Sequence, residues 1–287
     1  MQKFKIKSYC KINLSLKVIR KLNDGYHSII SLITFCNLHD LITISKIKSF
    51  NDKISFSGKF KNGINTKSNT ITKMLKLLRK DNLIKKQSFK INIKKNIPHG
   101  SGLGGGSANS ADILNFLNLR MRLNLNKNNL EKIARKIGFD VPISLEKKNT
   151  FITGKKNEII RLKENFNLIL LIVYPNLICS TKKIYKKIKI INRIKKKRYL
   201  PIKNRKNLIN FLNKENNDLE RPVVKTYPQV ENLIHDIAKK KGCYLSRITG
   251  SGSACIGIFS NMKSAIYAKK LVKIKYPKYW SIVSKTI

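Results

Sequence analysis

Acidic side chains are scarce in this chain: 15 Asp plus Glu stand against 61 Lys plus Arg in 287 residues, a formal charge of +46. Such an imbalance first raises a polyanion partner. Lysine, isoleucine and asparagine are in excess along the whole length rather than in one stripe, and all three have A/T-rich codons. We therefore read genomic base bias at solvated positions, which a balanced host genome would refute, and expect nonspecific polyanion affinity but no specific nucleic-acid partner. The best local candidate for a polyanion site is the basic stretch 182–206, inside an interval from Glu164 to Glu215 that has no acid between its ends. Cysteine is sparse too: Cys10, Cys36, Cys179, Cys243 and Cys255 are odd in number and form no CxxC pair. They read as reduced thiols in a cytoplasmic protein. The four histidines, His27, His39, His99 and His235, lack metal-ligand spacing, so no structural zinc is implied. The basic start Met-Gln-Lys-Phe-Lys-Ile-Lys lacks the apolar core of a signal peptide. Leu168 to Val173, the longest apolar run, is too short to cross a bilayer, so no membrane partner is expected. What remains, 41% hydrophobic residues over this length, suits two medium domains, 1–160 and 161–287.

Glycine, by contrast, is concentrated. Ile97 to Asp112 reads Ile-Pro-His-Gly-Ser-Gly-Leu-Gly-Gly-Gly-Ser-Ala-Asn-Ser-Ala-Asp. Phe89, Ile91 and Ile93 alternate before it as in a strand, while Ala111, Leu114 and Leu117 recur at helical spacing after it. Gly100, Gly102, Gly104, Gly105 and Gly106 let the backbone take positive φ and admit a ligand, with the unpaired N–H groups of the next helix facing it. That geometry binds phosphate. Ser107 follows Gly106 without the lysine that a P-loop needs. Gly100, Gly102 and Gly105 satisfy GxGxxG, but a second helix near Asn128 to Ile137 stands where a dinucleotide fold needs a strand ending in an acid.

Along the chain, Ile12, Leu14, Leu16 and Val18 define one face of a strand over 3–19, with Lys11, Asn13 and Ser15 on the other. Asn23, Asp24 and Gly25 turn it into a hairpin with Ile29 to Phe35, past Tyr26 and His27. Strand-like pieces follow at 41–44 and 53–56. A helix over Ile71 to Leu78 has Ser68 as its candidate cap, with Asn69 placed to reach a ligand. A further helix ends at Gly138 as a C′ glycine. Asp140, beyond it, reads locally as a cap before Pro142. From Phe166 the order is strand, helices (Thr181 to Ile191, Pro228 to Lys241), strand, helix, strand. The second glycine turn, Thr249-Gly250-Ser251-Gly252-Ser253, fits a tight turn or a ligand site.

With Lys11, the glycine loop, Asp140 and the second glycine turn in place, the chain resembles the GHMP small-molecule kinases over essentially its whole length. Lys11-Ile12-Asn13-Leu14, Asp24-Gly25-Tyr26-His27 and Gly138-Phe139-Asp140-Val141-Pro142 resemble the branch acting on a cytidylyl sugar alcohol. The resemblance implies an α+β fold, with an N-terminal domain of the ribosomal S5 domain 2 type and a ferredoxin-like C-terminal domain. It implies ATP-dependent phosphorylation of the 2-hydroxyl of 4-diphosphocytidyl-2-C-methyl-D-erythritol, with ATP and Mg²⁺, by a monomer or homodimer. Asp140 would accept the hydroxyl proton and Lys11 would hold that carboxylate. ATP would lie on Pro98, His99, Gly100, Ser101, Gly102, Leu103, Gly104, Gly105, Gly106, Ser107 and Ala108, with a helix starting at Ser107 and Asn69 at adenine or ribose. Asn13 would orient the acceptor; Tyr26, His27, Thr181, Tyr185, Gly250 and Gly252 would serve the substrate. Tyr185 fits ordinary core packing equally well, since Ile184, Ile188 and Ile191 share its helix. Ala108 stands where the family usually has a second hydroxyl, and Phe139 where it usually has a small residue.

Overall fold

The structure, a computed structural model, describes residues 2–23, 25–154, 157–188, 202 and 204–287. Asp24 and most of the basic stretch 182–206 lie outside them. The chain forms two compact units, neither contiguous in sequence: Met1–Lys11, Leu38–His99 and Gly104–Lys147 make the first, and Ile12–Asn37, Gly100–Leu103 and Lys148–Ile287 the second. Two long paired strands, β1 (Phe4–Lys21) and β2 (His27–Ile47), run through both.

In the first unit the C-terminal half of β2 is followed by β3 (Lys53–Ser57), α1 (Thr70–Lys80), β4 (Ser88–Lys94), α2 (Gly105–Arg120), α3 (Lys127–Ile137) and a 3-10 turn at Ile143–Leu145. β4 pairs antiparallel with β2, Ile42 opposite Ile93, and parallel with β3, Ile54 opposite Ile91. Alternate residues of β2 and β4 (Ile42, Ile44, Phe89, Ile91, Ile93) form one core with helical positions Met74, Leu75, Leu78, Leu114, Leu117 and Ile133. Period-2 and period-3.6 stripes meet there, as amphipathic elements must to bury their apolar faces.

The second unit adds β5 (Thr150–Thr153), β6 (Glu158–Arg161), β7 (Ile169–Tyr174), α4 (Thr181–Lys186), α5 (Arg205–Asn213), α6 (Glu220–Thr226), α7 (Pro228–Ala238), β8 (Cys243–Ile248), β9 (Cys255–Phe259), α8 (Met262–Lys275) and β10 (Trp280–Lys285). β5 pairs with the N-terminal half of β2. β6 pairs with β5, and the remaining four strands form an antiparallel sheet in the order β10-β7-β9-β8. Numbered within that sheet the order is 4-1-3-2, with helices after the first and third strands, the ferredoxin-like split arrangement. β7 sits centrally, and its continuous apolar run is buried from Leu170 to Tyr174.

Several local expectations change. Cys10 to Leu16 are all buried, so β1 is covered on both faces there and the shared face of Lys11, Asn13 and Ser15 is interior. Asn69, not Ser68, caps α1: its carboxamide oxygen accepts from the Ile71 and Thr72 N–H groups while Thr72 Oγ1 accepts from the Asn69 N–H. Gly138 has φ 179°, an extended conformation open to any residue, so no left-handed cap ends α3. The helix after the loop starts at Gly105 rather than Ser107. Only the first three loop glycines take positive φ, because Gly105 and Gly106 are already helical. Of the helix expected over Thr181 to Ile191, α4 covers the first six residues, and 189–191 lie outside the described residues.

Candidate active site

In the first unit Lys11 reaches Asp140. The ammonium lies 3.2 Å from Asp140 Oδ2, with the lysine side chain 5% and the aspartate side chain 32% exposed. β1 delivers Lys11 from a buried face, and the turn after α3 delivers Asp140. Its backbone carbonyl accepts from the Ser144 N–H and hydroxyl, so the turn is held by main chain and the carboxylate is turned to Lys11. A buried ammonium needs such a partner.

The end of the glycine loop rests on the same lysine. Gly104 has φ 69°, and a Cβ there would come within 2.6 Å of Lys11 Cγ and 2.9 Å of its Cε. Glycine is needed twice, for the left-handed backbone and for the close approach. Gly104 is also the N-cap of α2, and among the described residues no side chain caps that helix. The Ala108 N–H bonds the Gly104 carbonyl, as the first intrahelical bond should, leaving the N–H groups of Gly105, Gly106 and Ser107 as the orphan donors of the first turn. Thr70 Oγ1 donates to the Gly106 carbonyl at 2.9 Å and Ser110 Oγ to the Thr70 carbonyl at 3.2 Å, fastening this turn to the start of α1. Asn69 beside it is engaged locally, its amide donating to the Asn65 and Thr66 carbonyls. Pro98 and Ala108 are buried, and the His99 ring reaches the Asn62 carbonyl at 2.8 Å and lies against Gly63.

The middle of the loop belongs to the second unit, where it meets the second glycine turn. A Cβ on Gly102 would overlap the Thr249 carbonyl, and one on Gly252 would overlap the Ser101 carbonyl. The Ala254 N–H donates to Ser101 O at 3.1 Å. Gly252 is thus used for backbone-to-backbone packing, while Gly250 (φ 60°) offers its carbonyl to Asn217. Gly100 packs on Ile178 and accepts from the Cys179 N–H; Leu103 is buried.

In the same unit the Asn13 N–H donates to Thr249 Oγ1 and its side-chain amide to Ser31 Oγ, both at 2.8 Å. Tyr185 lies against His27, ring centroids 4.8 Å apart and planes tilted by 33°. Burial, then the Lys21 charge, holds the His27 imidazole below its ordinary value of 6.5. Tyr26 is 52% exposed. Thr181 Oγ1 and Ser251 Oγ are 2.8 Å apart.

Sequence reasoning gave Ser31, Asp40, Lys95 and Asn109 no role of their own and placed Thr249 only within the second glycine turn. Asp40 had a signal, being one of 15 acids and set in an apolar strand. Its fully buried side chain pairs with Lys95, whose pKa is held by burial below the ordinary lysine value although the Asp40 carboxylate opposes that shift.

Residues 69–148 match the model of the GHMP kinases N terminal domain, and residues 201–278 that of the GHMP kinases C terminal domain. The chain is 36% identical over 287 residues, all of both chains, to 4-diphosphocytidyl-2-C-methyl-D-erythritol kinase of Pelagibacter ubique (strain HTCC1062). Its fold is like that of a crystal structure of 4-(cytidine 5'-diphospho)-2C-methyl-D-erythritol kinase (TM-score 0.75, 22% identity, 98% of this chain and 99% of that one). It is like homoserine kinase of Cytophaga hutchinsonii ATCC 33406 to nearly the same degree (TM-score 0.74, 15% identity, 100% and 95%), so the fold by itself does not choose the acceptor. The full-length sequence relationship does choose: the chain belongs to the GHMP kinases and, within them, to the 4-diphosphocytidyl-2-C-methyl-D-erythritol kinase family.

Proposed function

We propose that this enzyme transfers the γ-phosphate of ATP to the 2-hydroxyl of 4-diphosphocytidyl-2-C-methyl-D-erythritol, a step of non-mevalonate isoprenoid precursor synthesis. The observation that carries the chemistry is the uncapped start of α2 resting, through Gly104, on the lysine that pairs with Asp140. Phosphoryl transfer asks a protein for in-line positioning and charge neutralisation more than covalent work. Asp140 takes the proton of the acceptor hydroxyl. Lys11 orients that carboxylate and stabilises the incoming oxygen, and the N–H groups of Gly105, Gly106 and Ser107 hold phosphate oxygens. Residues 98–104 line the triphosphate, and the 65–69 turn that Asn69 organises holds adenine or ribose. Asn13 orients the acceptor. Tyr26 and Tyr185 stack on the cytosine, His27 reads its edge, and Thr181 and the Gly250 to Gly252 turn complete the substrate site.

Mg²⁺ would neutralise the triphosphate. Among the described residues no group of three or more His, Cys, Asp and Glu could cage a metal ion. On nucleotides Mg²⁺ is commonly bound by the phosphate oxygens and water. We keep the domain boundary near residue 160 and place the enzyme in the cytoplasm, as five scattered cysteines without a CxxC pair suggest. No helix among the described residues is long and apolar enough to cross a membrane. The enzyme acts as a monomer or homodimer, and sedimentation showing a larger assembly would refute this.

The test is ADP release with the cytidylyl substrate, homoserine and mevalonate offered in parallel. Turnover with the cytidylyl substrate alone is expected. Turnover with homoserine or mevalonate alone would overturn the acceptor while keeping the kinase.

A further inference from the structure

Beneath the first turn of α2 lies a buried polar cluster that the phosphoryl-transfer scheme does not use. Asp40 is 0% and Lys95 2% exposed, and Asn109 is buried with them. Asp40 Oδ1 accepts from the backbone N–H groups of Asn96 at 2.8 Å and Ile97 at 2.9 Å, where β4 runs into the glycine loop. Its Oδ2 accepts from the Lys95 ammonium and, at 3.1 Å, from the Asn109 side-chain amide. Lys95 also donates to Asn109 Oδ1 at 3.0 Å. One carboxylate therefore fastens the entry of the loop, at 95–97, to the helix at its exit. The loop's own packing touches the cluster: a Cβ on Gly105 would sit 3.0 Å from Ile97 Cγ2 and 3.3 Å from Lys95 Nζ.

Stability alone does not account for such a group. Taking both charges out of water costs more than their attraction commonly returns, and apolar residues of similar volume would hold this space at least as well. What an apolar filling lacks is direction: it cannot fix two backbone N–H groups and a helical side chain to one point. We propose that Asp40, Lys95 and Asn109 are positioning residues that hold the two ends of the phosphate loop in register, so that the cluster sets nucleotide affinity and leaves acceptor affinity alone. This rests on the reading of 98–108 as the ATP loop.

Two variants test it in the full chain. Asn109→Ala frees the helix but keeps the ion pair, and the double variant Asp40→Asn with Lys95→Met removes both charges together, so neither leaves a lone buried charge. Both are expected to raise the ADP dissociation constant and the KM for ATP about tenfold, as lost charge-assisted hydrogen bonds and misplaced donors do, while the KM for the cytidylyl substrate stays within about twofold. Amide exchange should quicken over 97–108. Unchanged ATP constants, or an equal rise in both KM values, would overturn the proposal even if the melting temperature falls. An unaltered chain that binds no ADP would instead bring down the ATP-loop reading, and the proposal with it.

Discussion

Lys11 shows how one residue type changes meaning with its surroundings. Among the described residues it is one of three buried Lys or Arg side chains, with Lys95 and Arg247, and its 3.2 Å approach to Asp140 gives that burial a reason. If Asp140 is the base, Asp140→Asn should lower kcat by roughly 10² to 10⁴, the usual size of a general-base contribution, with the ADP dissociation constant unchanged. A capping role would leave turnover near normal and lower the melting temperature instead. His27 supplies a pH test. Burial and Lys21 hold its imidazole below 6.5, so between that value and its folded pKa the unfolded chain binds the proton first. The stability linked to His27 is therefore complete above pH 6.5 and is lost as pH falls through that window. If the neutral ring reads cytosine, the KM for the cytidylyl substrate should be flat above pH 6.5 and rise below it, and the pH profile should lose that rise in His27→Gln. Tyr185 is open between core packing and ligand contact by sequence; in the structure its ring lies against that of His27.

At the scale of elements, the glycine loop and α2 show why glycine count and glycine role differ. Gly104 combines positive φ with a close approach to Lys11, whereas Gly106 is helical and a Cβ there would meet only Thr70 Oγ1, at 3.8 Å. Gly106→Ala should raise stability by about 0.5–1 kcal/mol, since alanine loses less backbone entropy in a helix. It should nevertheless raise the KM for ATP if phosphate lies against that turn; thermal melts and kinetics on one sample separate the two effects. Gly104→Ala should lose both stability and turnover. Asn69→Ala removes the acceptor of a capping box and should cost about 1 kcal/mol in denaturant unfolding. The cap was misread from sequence because Ser68 and Asn69 are both good caps, and only the backbone chooses between adjacent candidates.

For the whole molecule, +46 remains a property of solubility and encounter rather than of the site. The enzyme should bind heparin and RNA alike at low salt, with affinity falling linearly in log units as log salt rises and with no preference among RNA sequences. A sequence-selective RNA complex in filter-binding competition would give the basic stretch 182–206 a function of its own.

What the sequence determined alone was whatever depends on local spacing. The strand–glycine–helix order around residue 100 and the stripes of α1, β4 and α2 follow from periodicity, whereas the ferredoxin-like half has two strands, β8 and β9, where the spacing of apolar runs gave one between the helices. The Lys11, glycine-loop and Asp140 constellation was legible because its pieces are short motifs. Tertiary structure decided what depends on who lies opposite. It covered both faces of β1 and so made Lys11 and Asn13 interior groups. It set Gly102 against Thr249 and Gly252 against Ser101, so that close backbone packing requires both glycines. It also gathered Asp40, Lys95 and Asn109, which are 55 and 14 positions apart, onto one point under the loop. No local pattern encodes that meeting, because a buried charge is specified only by the partners that the completed fold brings to it.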